Sequence, residues 1–163
     1  RIIAGYLNKD PSEIHISYTK SGIPILENLP CLVFISTSYT EGACIFALSS
    51  GYTLGIDIEY LKNDSCLLPI AHRFFYPEEW DFIRALPEEE LMKGFFQIWT
   101  LKEAYLKAIG RGFSGWNMLP EMASALRTRP ADTTVFPLLN TPYQARILLS
   151  DEICQALVFK RIV

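Results

Sequence analysis

Residues 99–110, WTLKEAYLKAIG, constrain the fold most strongly because they predict a helix that ends at a glycine. Their apolar side chains recur at helical spacing, so one side of this helix should pack on a core. Lys102 lies within that apolar stripe, three residues after Trp99 and four before Leu106. A lysine in this position must extend its amine to solvent, lose its proton or pair with an anion. The sequence leaves these three outcomes open.

The rest of the chain predicts an α+β fold in which strands come first, a helical block follows and strands return. Pro77 followed by acidic residues is a typical helix start. Three short strand segments in succession favour a meander. The predicted helices are residues 2–7, 77–86 and 88–109. A strand and a turn are predicted over residues 15–26, further strands over residues 31–39, 43–50 and 52–61, and a hairpin over residues 143–162.

Composition excludes several classes of function. The chain has 163 residues, half of them hydrophobic, which is enough for one large core or two small ones. Its formal net charge is −3 and it has no run of Lys and Arg, so we expect no nucleic-acid partner. No apolar stretch reaches the roughly 18 residues of a membrane span, and no signal-peptide pattern opens the chain. We therefore expect a cytoplasmic protein without a membrane partner.

The four cysteines predict neither a zinc site nor a disulfide framework, because none of them forms a CxxC pair. Cys31, Cys44 and Cys154 each lie in an apolar run, so we expect them to be small core residues. Free thiols of this kind are typical of a reducing compartment.

The segment GIDIEY carries two carboxylates, Asp57 and Glu59, two residues apart on a predicted strand. Side chains at that spacing point to the same face, where two negative charges repel each other unless a cation or solvent intervenes. Oxygen ligands that converge in this way suit Mg²⁺, which keeps its other positions for water and phosphate. The alternative is an acidic pair that faces solvent at the end of a strand.

Glu103 and Lys107 are four residues apart on the helix, in the orientation that favours an exposed intrahelical ion pair. If the helix instead faces the strand that carries Asp57, Glu103 would complete a three-carboxylate metal site. Lys102 and Lys107 would then contact phosphate oxygens, since a metal and lysines together stabilise a pyrophosphate leaving group. Both interpretations fit the spacing.

Three blocks of the sequence, GIDIE, RFFYPEEW and WTLKEAYLKAIGRG, follow one another in this order. Together they closely resemble the signature of the 4′-phosphopantetheinyl transferase family, and the similarity runs from near Arg1 to about Ser114. The motifs are most similar to the two-lobed type that activates peptide and polyketide synthases. The resemblance implies an antiparallel sheet packed on a long helix, with residues 1–52 as the remainder of a truncated first lobe and residues 53–163 as the second.

The resemblance also implies the reaction, which transfers 4′-phosphopantetheine from coenzyme A to a serine of an acyl or peptidyl carrier protein and releases 3′,5′-ADP. The enzyme would be an Mg²⁺-dependent monomer. The residues implied as metal ligands are Asp57, Glu59 and Glu103, and those implied in catalysis are Glu79, Glu103 and Lys107, with Glu79 acting through water at the metal or as a base. The residues implied in binding the coenzyme are Lys102, Lys107, Ser36, Thr37 and Arg1.

Two positions depart from the family pattern. Thr37 stands where the family commonly has a histidine that helps to hold the 3′-phosphate of the coenzyme, and Ile23 stands where it commonly has Lys or Arg. These departures leave open a degenerate relative that binds a carrier protein or nucleotide without turnover, although the implied metal ligands and Lys107 favour an enzyme. A different Mg²⁺-dependent phosphotransfer enzyme is a further alternative.

Overall fold

The computed structural model describes residues 1–20, 22–29, 32–62, 64–129 and 134–162. Within these ranges the helices are α1 (Ile2–Leu7), α2 (Leu67–Phe74), α3 (Pro77–Arg84), α4 (Leu91–Ala108) and α5 (Ala123–Thr128), and 3₁₀ turns span Pro11–Glu13, Glu88–Glu90 and Gly112–Met118. The strands there are β1 (Ile16–Tyr18), β2 (Pro24–Leu26), β3 (Phe34–Thr40), β4 (Ala43–Ser49), β5 (Tyr52–Tyr60), β6 (Phe136–Pro137), β7 (Gln144–Leu149) and β8 (Ile153–Arg161). The predicted α+β class is confirmed.

A four-stranded antiparallel sheet in the order β5-β8-β7-β6 packs one face on α4. Strand β8 shows why the helix can approach, because small or short side chains alternate along it and are buried: Cys154, Ala156 and Val158. In the β5–β8 register Asp57 lies opposite Ala156 and Glu59 opposite Cys154. The two acidic residues of β5 therefore share the sheet face that α4 covers.

Gly55 fixes the contact between β5 and α4. It precedes Asp57 by two residues and so lies on the same face of the strand. A Cβ atom at this position would overlap the carbonyl oxygen of Ala104 and the amide nitrogen of Ala108, both of which belong to the helix backbone. Glycine permits this approach because it has no side chain. The strand therefore lies directly against the last turns of α4.

The predicted meander is wrong at its third strand. Strands β3 and β4 pair as an antiparallel hairpin, whereas β5 pairs with β8 from the end of the chain. The reason is that β8 offers β5 nine paired positions and a face that α4 buries. Strand β3 still contacts β5 through a side chain, since the Ser36 hydroxyl accepts a hydrogen bond from the Ile56 amide at 3.1 Å.

The helical block also differs from its prediction in detail. Helix α4 begins at Leu91 and not at residue 88, because Glu88–Glu90 forms a 3₁₀ turn. Its end agrees with the sequence, since Gly110 follows with a left-handed φ of 69°. The short helices α2 and α5 are not predicted. The hairpin over residues 143–162 is confirmed as β7 and β8.

The predicted burial of the cysteines is correct for Cys154 and wrong for Cys44, which is exposed. Cys44 pairs with Tyr39 near the tip of the β3–β4 hairpin, where both side chains face solvent. Cys31 lies outside the described residues. Among the residues that the structure describes, no helix combines the length and apolarity needed to cross a membrane.

Candidate active site

A polar cleft lies where the last turns of α4 meet β5. Strand β5 brings its acidic residues close to α4, because Gly55 allows the backbones of the strand and the helix to touch. Asp57 is only 3% exposed, which is unusual for a carboxylate without a role. The charged side chains that this contact brings together are Asp57, Glu59, Glu103 and Lys107, as the sequence predicts for a helix that faces the strand.

Asp57 is the centre of the polar contacts. Its Oδ1 lies 2.6 Å from Nζ of Lys107, and the Ser38 hydroxyl donates to the same oxygen at 2.8 Å. Nζ of Lys107 also donates to Oγ of Ser38 at 2.9 Å. The exposed fraction of the Lys107 side chain is 30%, so this amine lies between the buried carboxylate and the cleft.

Two buried carboxylate oxygens at this site have no hydrogen-bond partner among the described residues. They are Oδ2 of Asp57 and Oε1 of Glu103. A buried charged oxygen without a partner is strongly unfavourable, and native proteins rarely keep one without a ligand or a catalytic use. These two atoms therefore mark the place where a bound cation or donor belongs.

Glu59 is held from the apolar side of the site. The indole Nε1 of Trp99 donates to Oε1 of Glu59 at 3.3 Å. Trp99 is itself fixed by aromatic packing, stacking on Phe95 with ring centroids 5.9 Å apart. The aromatic cluster thus orients a carboxylate without adding a charge to the cleft.

The electrostatics of the three carboxylates are coupled. Burial is the main cause that raises the pKa of Asp57, Glu59 and Glu103. The negative charge of Asp57 raises the pKa of the other two further, whereas Lys107 acts in the opposite direction on all three. A site with this surplus of buried negative charge favours the binding of a cation.

The residues fit a hard divalent cation. In the described ranges no three His, Cys, Asp or Glu side chains already stand close enough to share a metal ion. Oδ2 of Asp57 and Oε1 of Glu103 are nevertheless buried carboxylate oxygens without partners, which is the donor type that such an ion takes. An all-oxygen donor set suits Mg²⁺ better than a softer metal.

A cavity of about 210 Å³ opens beside this cluster. Its wall combines the charged end of α4 with β3 and the turn before β2, and it includes Ser36, Thr37, Glu103, Lys107, Ile23 and Pro24. The cleft thus contains the predicted pair Ser36 and Thr37. Arg1 is exposed at the start of α1 and is not part of this wall.

Lys102 and Glu79 lie elsewhere, in contrast to the expectation that they act at the cleft. Nζ of Lys102 is 2.9 Å from Oε2 of Glu79, and these side chains are 1% and 0% exposed. Glu79 also accepts hydrogen bonds from the backbone amides of Tyr76 and Met122 at 2.8 and 2.9 Å. Of the three outcomes open to Lys102, the structure shows pairing with an anion, and that anion belongs to the protein.

Aromatic rings complete the surroundings of Lys102. Its Nζ lies 4.8 Å from the ring centroid of Tyr76, 5.5 Å from that of Phe75 and 5.8 Å from that of Trp116. Burial lowers the pKa of Lys102 and raises that of Glu79, while their mutual attraction opposes both shifts. A substrate phosphate has no access to an amine enclosed in this way.

Two contributors to the site were not singled out from the sequence. Ser38 directly follows the predicted pair Ser36 and Thr37, and alternation along a strand places Ser36 and Ser38 on one face and Thr37 on the other. Gly55 had one available signal, since a glycine inside a strand often marks the close approach of another backbone.

Fold and cleft together define an α+β domain whose clustered carboxylates and lysine suit a divalent cation and a phosphate group. A sequence model of the 4′-phosphopantetheinyl transferase superfamily matches residues 53–157. This chain belongs to that superfamily, which confirms the resemblance found in the three sequence blocks.

Named relatives agree with this membership. The 4′-phosphopantetheinyl transferase HetI of Nostoc sp. is 36% identical over 160 residues, which cover 96% of this chain and 65% of HetI. The 4′-phosphopantetheinyl transferase Sfp of Bacillus subtilis is 34% identical over 114 residues, which cover 69% of this chain and 49% of Sfp. The chain therefore spans about half to two thirds of the length of these curated relatives.

Proposed function

We propose that this chain transfers 4′-phosphopantetheine from coenzyme A to a serine hydroxyl of an acyl or peptidyl carrier protein. The observation that carries the proposal is the pair of buried oxygens without partners, Oδ2 of Asp57 and Oε1 of Glu103, beside the amine of Lys107. Membership of the superfamily and the names of HetI and Sfp support the same reaction.

In this proposal Asp57, Glu59 and Glu103 would hold Mg²⁺. When bound, Mg²⁺ supplies positive charge that offsets the charge growing on the leaving pyrophosphate oxygen. Lys107 would turn from Asp57 toward the same phosphate, since its amine already borders the cavity. This arrangement stabilises charge where it develops during the reaction.

The proposed transfer needs no reactant besides coenzyme A and the carrier serine. The carrier serine oxygen forms a bond to the phosphorus that bears pantetheine, the bond from that phosphorus to the bridging oxygen breaks, and 3′,5′-ADP leaves. The serine proton goes to a carboxylate, for which Glu103 is better placed than Glu79. Glu103 lines the cavity, whereas Glu79 is fully buried in its pair with Lys102.

Further properties belong to the proposal as well. We propose a monomer and a division into residues 1–52 and 53–163. Free thiols at Cys44, Cys66 and Cys154 favour a cytoplasmic location. Ile23 and Thr37 line the cavity without a positive charge, so Ser36 and Thr37 would contact the coenzyme through hydroxyl groups alone.

The test is to incubate the full chain with coenzyme A, Mg²⁺ and an apo carrier protein, and to measure the intact mass of the carrier. We expect a gain of one phosphopantetheine group, dependent on Mg²⁺. Glu103→Gln should abolish the gain because it removes a ligand charge at constant volume, whereas Glu78→Gln, on the surface of α3, should retain it. Coenzyme binding without any gain in mass would instead support a non-catalytic module.

A further inference from the structure

Ser38 is the neutral member of the polar cluster at Asp57, and the reaction outlined above gives it no task. It lies on β3, is 6% exposed, and reaches across to β5. Its hydroxyl donates to Oδ1 of Asp57 and accepts from Nζ of Lys107. A hydroxyl can do both at once because it has one proton and two lone pairs. Ser38 thus touches both partners of the Asp57–Lys107 ion pair.

The contacts of Asp57 are divided unequally between its two oxygens. Oδ1 receives both side-chain donors, Ser38 at 2.8 Å and Lys107 at 2.6 Å. Oδ2 has no hydrogen-bond partner within the described part of the chain. The terminal torsion of an aspartate is soft, so donors on one oxygen are what fix the orientation of the carboxylate. In this arrangement one oxygen is anchored and the other stays free.

Ser38 is the side-chain anchor that remains when the lysine moves, beside the backbone amide of Ile58, whose hydrogen bond also lowers the pKa of Asp57. If Lys107 turns to a phosphate, Ser38 is the other side-chain donor that the structure shows on Oδ1. As a neutral group, Ser38 orients the carboxylate without cancelling the negative charge that attracts a cation. Loss of a group that holds a metal ligand in place commonly lowers metal affinity by about 10–100-fold.

We propose that Ser38 is a positioning residue whose hydroxyl fixes Asp57 so that Oδ2 remains free for a divalent cation. The inference rests on the proposed function, because it takes Asp57 as a cation ligand and Lys107 as a phosphate contact. It concerns binding of the cation and not the chemical step. Binding can therefore be measured without coenzyme A or a carrier protein.

The chain provides a matched control at Ser36. This residue lies two positions earlier on the same strand and is 5% exposed, almost the same as Ser38. Its hydroxyl also reaches β5, but it accepts from the Ile56 amide, and among the described residues no hydrogen bond joins it to the carboxylate of Asp57. Ser36→Ala therefore removes one hydrogen bond between β3 and β5 without removing a donor from Asp57.

The experiment is a Mn²⁺ titration of the full 163-residue chain, with free Mn²⁺ followed by electron paramagnetic resonance. We expect Ser38→Ala to weaken Mn²⁺ binding about tenfold, as the loss of such an orienting partner typically does. Ser38→Thr keeps the hydroxyl and should restore binding to within about twofold, and Ser36→Ala should remain within the same range of wild type.

Equal Mn²⁺ affinity in wild type and Ser38→Ala would overturn the inference, as would an equal loss in Ser36→Ala. Absence of Mn²⁺ binding to the wild-type chain would overturn it too, because no cation site would then exist. The carrier assay tests the function separately. If the Mn²⁺ affinities of the variants rank as expected but the wild-type chain does not modify a carrier, the positioning role of Ser38 stands and the proposed function fails.

Discussion

Two of the lysines on helix α4 each pair with a buried carboxylate, and the two pairs differ in almost every other respect. Lys102 and Lys107 are five residues apart, so they project about 140° apart around the helix. Lys102 and Glu79 are sealed beneath aromatic rings. Lys107 borders a cavity while its partner Asp57 is buried.

The difference between the pairs lies in how completely their polar atoms are satisfied. Both oxygens of Glu79 have partners, Oε2 with Lys102 and the Tyr76 amide, and Oε1 with the Met122 amide. Asp57 keeps one oxygen without a partner. A buried pair with every contact made serves as structure, whereas a pair with an unused oxygen at a cavity is available for binding and chemistry.

The largest loss of stability should come from breaking the pair of Lys102 and Glu79, which we call the closed pair because both side chains are buried. Lys102→Met leaves the carboxylate of Glu79 buried without its counter-charge, and Glu79→Ala leaves the amine in the same state. We expect either variant to lower the free energy of unfolding by about 3–5 kcal/mol. Urea denaturation followed by circular dichroism measures this change.

The double variant Glu79→Leu with Lys102→Met sharpens the same test. Removing both charges together should recover most of the loss, because no unpaired charge remains in the core. A Lys102→Met variant that is as stable as wild type but inactive would contradict the structural role. It would instead support the expectation that Lys102 contacts the substrate phosphate.

The next largest effect concerns the pair of Lys107 and Asp57, which we call the open pair because Lys107 borders the cavity. Lys107→Met should reduce the transfer rate by about 100-fold or more, because it removes a charge aimed at the leaving phosphate. The loss of unfolding free energy should be only about 1 kcal/mol, since the Lys107 side chain is 30% exposed at the cavity and water can take its place beside Asp57. The carrier mass assay gives the rate, and urea denaturation gives the stability. A loss of stability as large as that of Lys102→Met would erase the distinction between the pairs.

The smallest expected effect is a gain in stability, and it comes from replacing Glu103. Burial and the charge of Asp57 raise the pKa of Glu103 in the folded protein. Its stabilising contribution is therefore complete below the pKa of an unfolded glutamate and is lost as the pH rises through the folded pKa. At neutral pH and without divalent cations, Glu103→Gln should thus be more stable than wild type by about 1 kcal/mol.

This gain should shrink as the pH is lowered, because wild-type Glu103 then becomes neutral as well. Urea denaturation at neutral and at mildly acidic pH, with a chelator present, measures both values. A Glu103→Gln variant that is less stable than wild type at neutral pH would show that the carboxylate makes a favourable contact in the absence of a cation.

Local patterns predicted the helix and the strands around the site, because apolar periodicity and glycine stops act over short distances. The end of α4 shortly before Gly110 and the hairpin of β7 and β8 are examples. The partner of β5 was not predictable in this way. Strands β4 and β5 are neighbours in the sequence, yet β5 pairs with β8, and that choice depends on the face that α4 buries.

The same limit applies to the candidate site. The sequence indicated that Lys102 needs an anion, but it could not name Glu79, which comes 23 positions earlier on a different helix. The convergence of Asp57 with Glu103 followed from the resemblance and from one geometric condition, that the helix faces the strand. The condition holds because Gly55 admits the helix backbone, which spacing along the chain does not reveal.

The missing side chain at Gly55 also decides what a substitution there would do to the cleft. Backbone touches backbone between β5 and the last turns of α4, so no side chain separates the two elements at this point. On its other side β5 meets β3 partly through the hydroxyls of Ser36 and Ser38. Gly55→Ala would therefore push the helix that carries Lys107 away from Asp57, whereas an alanine at either serine would remove only a hydrogen bond.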